Sequence, residues 1–270
     1  MKISVVVPSY KPGPYLWECL DSIYNQTFSG SQFEVIIVLN GCNEPYRSQI
    51  EEYISSHTDK CAFRLIQTDT PGVSNARNIG IENSQGEYLT FVDDDDIISE
   101  NYLEELLKVS DRYTVGCCTS YSFEDDIHTI KENFLSVTYN RVKNTKYNIY
   151  RYRQFMSPPV CKMIHREIIG NDRFPHNLRR SEDSVFCLRI SGKIKELKLA
   201  APSAVYYIRR RSGSATRSDV NIKDELSELW KIEITYLKYW LSHLFSVNVT
   251  FMLSRIAAGF RNSYWRLKRK

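Results

Sequence analysis

Tyr88-Leu89-Thr90-Phe91-Val92-Asp93-Asp94-Asp95-Asp96 is an apolar, strand-forming run that ends in four consecutive carboxylates. Short runs of this kind, bounded by Ser84-Gln85-Gly86 on one side, read as a buried β-strand. Four like charges at a strand end repel one another and are costly unless a cation or hydrogen-bond donors meet them. Mg²⁺ and Mn²⁺ bind carboxylate oxygens and bridge them to substrate phosphates. Alternation along extended chain points Asp93 and Asp95 the same way, as a pair for one metal and one nucleotide. Two other readings compete. One is a solvated acidic turn. The other is a phosphatase-type nucleophilic aspartate, which normally sits on an early strand and needs a downstream lysine that the sequence does not identify.

Working outward, Ile3 to Val7 is a β-branched run stopped by Pro8, and Phe33 to Leu39 is a second, closed by Asn40-Gly41. Phe63 to Ile66 reads as a further strand. Leu16, Leu20 and Ile23 recur at helical spacing, Asn75 to Asn83 reads as a helix, and Leu103, Leu106 and Leu107 mark another. Strands alternating with helices predict βαβ units and a mostly parallel sheet. In such sheets ligands lie beyond the carboxyl ends of the strands. Pro8-Ser9-Tyr10, Asn40-Gly41 and Asp93 to Asp96 are therefore expected at one crevice. From about Thr129 the pattern is irregular and rich in aromatic and basic residues, and reads as an insertion covering that crevice.

The 270-residue chain carries only +4, but unevenly. Residues 1–130 hold eight Lys/Arg against twenty-one Asp/Glu, and the rest holds twenty-eight against eleven. An acidic half suited to a cation and a basic half suited to anions follow from that asymmetry. Seven cysteines without zinc-type spacing read as free thiols of a reducing cytoplasm. The N-terminal apolar run is too short for a signal peptide. The five histidines show no metal-ligand spacing.

Ordered motifs carry a family resemblance. Ser4-Val5-Val6-Val7-Pro8-Ser9-Tyr10, Gln26-Thr27-Phe28, Ala76-Arg77-Asn78-Ile79-Gly80 and Gly86 through Asp96 resemble the family 2 glycosyltransferases. Ile164-His165-Arg166-Glu167, Glu182-Asp183 and Tyr206 to Arg211 resemble that family's later motifs, so the likeness spans about residues 3–215. It implies an α/β fold: a single GT-A domain, with a mostly parallel Rossmann-like sheet flanked by helices, and a C-terminal helical extension. Residues 1–215 would be the catalytic domain, 1–110 its nucleotide-sugar half and 111–215 its acceptor and base half, with 216–270 the extension.

The resemblance also implies roles. Pro8, Ser9 and Tyr10 look like the loop that holds the nucleobase, usually uracil. Asp95 would be the ligand of the metal, Mn²⁺ or Mg²⁺, bridging the diphosphate, and Asp93 would contact the ribose or the metal, with Asp94 and Asp96 supporting. Arg77 would approach base or phosphates, its fork of donors suiting anionic oxygens. Its alternative is a salt bridge to nearby carboxylates. Asp183 resembles the catalytic base of an inverting transfer, with Glu182 on the acceptor side. Arg179 and Arg180 are expected to keep its pKa low, and Ser181 to cap a helix starting there. Arg209, Arg210 and Arg211 with Ser212-Gly213-Ser214 look like a mobile segment over the phosphates. Many members have two acids before the glycine after the second strand; Leu39-Asn40-Gly41-Cys42 departs from this. Asn40 still offers a donor and an acceptor to a nucleobase.

Residues 222–270 read as helical, with Leu226, Leu229, Trp230, Ile234, Leu237 and Leu241 on one face and a basic end, Arg266 to Lys270. Trp240 to Phe260 is too interrupted by polar residues to span a bilayer. Peripheral contact with an anionic membrane, and packing against the catalytic domain or a twin subunit, both fit these helices. The expected partners are a nucleotide-sugar donor and a saccharide or lipid-linked acceptor of cell-surface polysaccharide synthesis, at the inner face of the cytoplasmic membrane. Nucleic acid is not expected, because acidic strand ends repel a phosphate backbone. A sugar-phosphate nucleotidyltransferase and a non-catalytic nucleotide-binding module remain the competing classes. Lys11-Pro12-Gly13-Pro14 is a poor version of the glycine-rich loop the former needs.

Overall fold

Strand β1 (Ile3–Ser9) is shielded from solvent at all seven residues, because it lies between two parallel neighbours and is covered on both faces. The computed structural model describes residues 1–211, 221–244, 247 and 249–268. α1 (Tyr15–Tyr24) turns Leu16, Cys19, Leu20 and Ile23 inward. β2 (Phe33–Asn40) is buried throughout, whereas β3 (Ala62–Thr68) is the half-buried sheet edge. Between them α2 (Tyr46–Ser56) buries only Ile50, which is why it has no apolar period to read in the sequence. α3 (Val73–Asn83) lies on β1, where Gly80 permits the approach: a Cβ there would stand 2.2 Å from Val6 Cγ1. β4 (Tyr88–Phe91) pairs in parallel with β1 and delivers the aspartates.

The chain continues through β5 (Ile97–Ile98), α4 (Tyr102–Val109), β6 (Thr114–Cys117), β7 (Thr119–Phe123) and β8 (Lys131–Glu132). α5 (Phe134–Val142), α6 (Ile149–Tyr152) and a 3₁₀ turn at Arg153–Met156 follow. Next come β9 (Lys162–His165), α7 (Arg166–Ile169), α8 (Glu182–Ser191), β10 (Glu196–Leu199) and β11 (Val205–Arg209). The main sheet has the order β10-β6-β9-β4-β1-β2-β3, with only β9 antiparallel to its neighbours. A smaller sheet, β5-β11-β7-β8, brings β11 beside the chain that leaves the aspartates.

The segment after Thr129 does not cover the crevice. Tyr139, Tyr152, Phe155 and Met156 are buried in the main core, and α5 packs against β7. Aromatic residues in this segment fill the interior beside the sheet because their rings carry most of its apolar area.

The C-terminal helical pattern divides into α9 (Ile222–Ser242), capped by Asn221, and α10 (Val249–Lys268). They pack antiparallel, since Gly259 meets Leu229 and Glu233 while Arg266 lies 3.7 Å from Glu225. The expected row Leu226, Trp230, Ile234, Leu237 and Leu241 does share a face, but that face is solvent-exposed. Leu229, Ile232 and Tyr236 with Glu225, Glu228 and Glu233 face inward instead. Arg269 and Lys270 of the basic end lie outside the described residues.

Candidate active site

The carboxyl ends of β1, β2 and β4 open on one crevice of about 640 Å³, a size suited to a small-molecule ligand. Pro8 comes from the end of β1, Asn40 from β2, Asp93 to Asp95 from β4, and Arg211 from the chain after β11. Tyr10, 51% exposed, stands at the mouth with Lys11 Nζ 5.4 Å from its ring centre.

The four aspartates have separate environments. Asp93 accepts from Arg77 Nη2 at 2.8 Å, and its backbone N–H donates to Tyr206 Oη at 3.0 Å. Asp94 accepts from Ser9 Oγ at 2.7 Å, and burial pushes its carboxyl up to about 6 despite that bond. Asp95 meets Arg211 Nη2 at 2.6 Å; burial raises it, while Arg211 pulls it back. Asp96 is buried and accepts from the Arg209 backbone N–H at 2.8 Å; burial and its neighbours Asp93 and Asp95 raise it far above an ordinary carboxyl. Asp96 therefore joins β11 to the acidic run, and the three acids before it line the crevice.

Arg77 connects the two ends of the sequence. It rises from α3 with its side chain 4% exposed and donates to Asp93 and, through Nη1, to Asp183 Oδ1 at 2.6 Å. Its guanidinium carbon lies 5.4 Å from the centre of the Phe174 ring. Asp183 follows Glu182 in the first turn of α8 and keeps its side chain 29% exposed. Burial pushes its carboxyl up to about 7 against the pull of Arg77, with Glu182 adding to the rise.

The family profile for glycosyl transferase family 2 matches residues 4–171. The chain belongs to that family. Among curated relatives, the poly(ribitol-phosphate) beta-N-acetylglucosaminyltransferase TarS of Staphylococcus aureus is 26% identical over 242 residues, covering 86% of this chain and 40% of that protein. Glycosyltransferase GlyA of Streptococcus pneumoniae is 32% identical over 227 residues, covering 80% of this chain and 32% of GlyA. The chain thus spans less than half the length of either relative. The structure of S. aureus TarS 1–349 with UDP-GlcNAc superposes with a TM-score of 0.65 at 22% identity, covering 88% of this chain and 67% of that one. The mannosyltransferase PcManGT of Pyrobaculum calidifontis, bound to GDP-Man and Mn²⁺, gives 0.62 at 16% identity, covering 99% and 72%. These likenesses show the GT-A fold for this family 2 chain.

Several expectations for the family 2 site change. Asn40 is 2% exposed, and its amide is already engaged: Nδ2 donates to the Ser9 carbonyl at 2.7 Å and Oδ1 accepts from Gly72 N–H at 2.8 Å. It ties two loops of the crevice together, and does not stand free to read a base. Ser9 is likewise buried, and its hydroxyl positions Asp94. Arg179 and Arg180 do not lower the Asp183 pKa. Arg179 N–H donates to Glu228 at 2.7 Å and Arg180 pairs with Glu225 at 2.5 Å, so the neighbouring guanidinium is that of Arg77. Ser181 makes no side-chain cap; its left-handed backbone (φ 62°) turns the chain into α8, and its carbonyl accepts from Ser184 Oγ. Arg209 is buried between the Tyr15 and Phe123 rings and donates to Glu18 and to the Asp95 carbonyl, which makes it a fixed strut. Ser212 to Ser214 lie outside the described residues.

Other crevice residues had no clear sequence signal. Pro71, Gly72 and Val73 form part of the wall, and only the Pro-Gly pair hinted at a turn there. Gly41, at φ +64°, lets this wall close, since a Cβ would meet Pro71 Cβ at 2.5 Å. Asn78 brackets Phe174 through both its N–H and its carbonyl, which seats the ring under Arg77.

No cluster of three or more His, Cys, Asp or Glu side chains able to hold a metal occurs among the described residues. Asp93 and Asp95 do supply hard carboxylate oxygens at the crevice, the one paired with Arg77 and the other with Arg211. This donor set fits Mg²⁺ or Mn²⁺, which accept one or two carboxylates and complete their shell with phosphate oxygens and water.

Proposed function

We propose that this chain transfers a hexose or N-acetylhexosamine, with inversion, from a nucleotide sugar, UDP-linked, to a saccharide or lipid-linked saccharide acceptor of cell-surface polysaccharide synthesis. The observation that carries the proposal is the Arg77 bridge: Arg77 lines the crevice beside Asp93 and also pairs with Asp183, 90 residues further along the chain than Asp93. Residues 1–110 supply most of the crevice lining, which supports reading them as the nucleotide-sugar half and residues 111–215 as the acceptor and base half. The named TarS complex with UDP-GlcNAc supports a UDP donor, and the curated relatives support a surface-polymer acceptor.

In this reading Tyr10 packs on the base at the crevice mouth. Asp93 and Asp95 would hold Mn²⁺ or Mg²⁺, whose positive charge would offset the negative charge developing on the leaving diphosphate. Arg211, at Asp95, adds a second positive charge there. Asp183 takes the proton of the acceptor hydroxyl as that oxygen bonds to the anomeric carbon. The bond from this carbon to the diphosphate oxygen breaks, and its electron pair leaves with the nucleotide. Glu182 lies on the acceptor side. A base near pH 7 suits this work, since it must be ionised yet still hold a proton.

Calorimetry with UDP and Mn²⁺, followed by a panel of nucleotide sugars scored for nucleotide release, tests the proposal. Asp183→Asn should abolish transfer and keep UDP binding. No heat with UDP would remove the donor reading, and loss of both binding and transfer in the variant would make Asp183 structural.

A further inference from the structure

The charges of the α9–α10 hairpin are sorted by direction. Glu225, Glu228 and Glu233 face the body of the protein, at 2%, 7% and 9% exposure. Lys223, Lys231, Lys238, Arg261 and Lys268 face solvent, against Asp224 as the exposed acid among the described residues of these two helices. Large apolar side chains share that outward side: Trp230 at 68% exposure, with Leu226 and Leu237 on α9, and Leu253, Phe260 and Tyr264 on α10.

These apolar rows form one surface. Each outward residue directly follows an inward one: Leu226 after Glu225, Trp230 after Leu229, Phe260 after Gly259, Tyr264 after Ser263. One residue is about 100° of helix rotation. The same rotation about two antiparallel axes, starting from a shared seam, carries both rows to the same side of the hairpin.

We propose that this side is a docking surface for an anionic lipid bilayer, on which the hairpin lies flat. Apolar side chains with a Trp and a Tyr would enter the headgroup and acyl boundary, and the flanking lysines and arginine would reach the lipid phosphates. No helix among the described residues is long and apolar enough to cross a membrane, in keeping with a surface-bound mode. A second copy is the poorer occupant. A two-fold interface is self-complementary, so the basic rim of one copy would face that of the other. The inward turn of the glutamates leaves few acids to pair them: Glu225 meets Arg180, and Glu228 keeps only a 3.8 Å contact with Lys231.

Flotation of the whole chain with vesicles tests this without any catalytic readout, so it stands or falls apart from the donor reading. Vesicles of phosphatidylcholine alone should leave the protein behind, and vesicles with about one third phosphatidylglycerol should carry it, less as NaCl rises. Trp230→Ser with Phe260→Ser, and separately Lys223→Glu with Lys238→Glu, should each lower partition about tenfold. Both double variants should melt as wild type does, because the altered side chains are exposed. The proposal is overturned by no flotation on anionic vesicles, by equal flotation on neutral ones, or by a dimer in sedimentation velocity that Trp230→Ser dissociates.

Discussion

Replacing Arg77 with Met keeps the length of the side chain but removes the only cation between Asp93 and Asp183 that the described contacts show. Breaking a buried ion pair by deleting one partner costs about 3–5 kcal/mol. Here Asp93 is 37% and Asp183 29% exposed, so water screens part of the loss and about 2–3 kcal/mol is expected. For a chain of this size that lowers Tm by roughly 5–10 °C. The loss must also depend on pH. Asp183 is pushed up to about 7 even with Arg77 present, and without it the carboxyl rises further. An acid whose folded-state pKa is raised binds its proton more tightly when folded, so stability is lost as pH climbs from the unfolded value, about 4, toward the folded one. Each further tenfold rise in proton affinity adds about 1.4 kcal/mol of loss above that range. Differential scanning calorimetry of wild type and Arg77→Met at pH 5 and pH 8 measures this directly. The gap in Tm should be clearly wider at pH 8. An equal gap at both pH values, or no gap, would refute the bridge as the electrostatic link between the two acids.

Three other outcomes follow from the same geometry. The rate of nucleotide release should fall as pH drops through about 7 along a one-proton limb, because protonated Asp183 cannot accept the acceptor's proton; a flat profile from pH 5 to 8 speaks against that role. Asn40→Ala leaves Gly72 N–H and the Ser9 carbonyl without their partner, so stability should drop by about 2 kcal/mol and UDP affinity about tenfold; unchanged calorimetric binding of UDP would show that the two loops hold their places unaided. Arg180→Ala leaves buried Glu225 with the longer 3.7 Å contact to Arg266, beside the turn that carries Asp183, and should lower Tm by several degrees and kcat several-fold while UDP binding persists; equal losses in kcat and UDP affinity would mean a general loosening.

The order of strands and helices was legible because the buried strands are written as uninterrupted apolar runs, and such runs survive any tertiary context. The acidic run was legible for a similar reason: four carboxylates after a buried strand have few stable surroundings. α2 was not, since a helix that buries one side chain leaves almost no period. The chain after Thr129 misled because an aromatic-rich segment without a period suits a lid and a core wall equally, and only packing against the sheet distinguishes them. In α9 five of the six apolar residues read as one face do share it, while Leu229 turns inward, and a row of apolar residues does not say which way it points. Glu225 and Glu228 point inward, met by Arg180 and the Arg179 backbone, and Glu233 turns to Gly259 of α10, which leaves the apolar row facing outward.

By itself the sequence determined an α/β chain with a parallel sheet, an acidic crevice at its strand ends, and Asp93, Asp95, Arg77 and Asp183 as the residues of interest. Tertiary structure alone decided how they meet. Asn40 and Ser9 spend their polar atoms holding the crevice in shape, Asp96 is buried as a strut, and Arg77 joins Asp93 to Asp183. The physical reason is that local patterning reports burial and backbone preference, which depend on near neighbours along the chain. A side chain's partners, and therefore its charge state, depend on residues that only folding brings within hydrogen-bond reach.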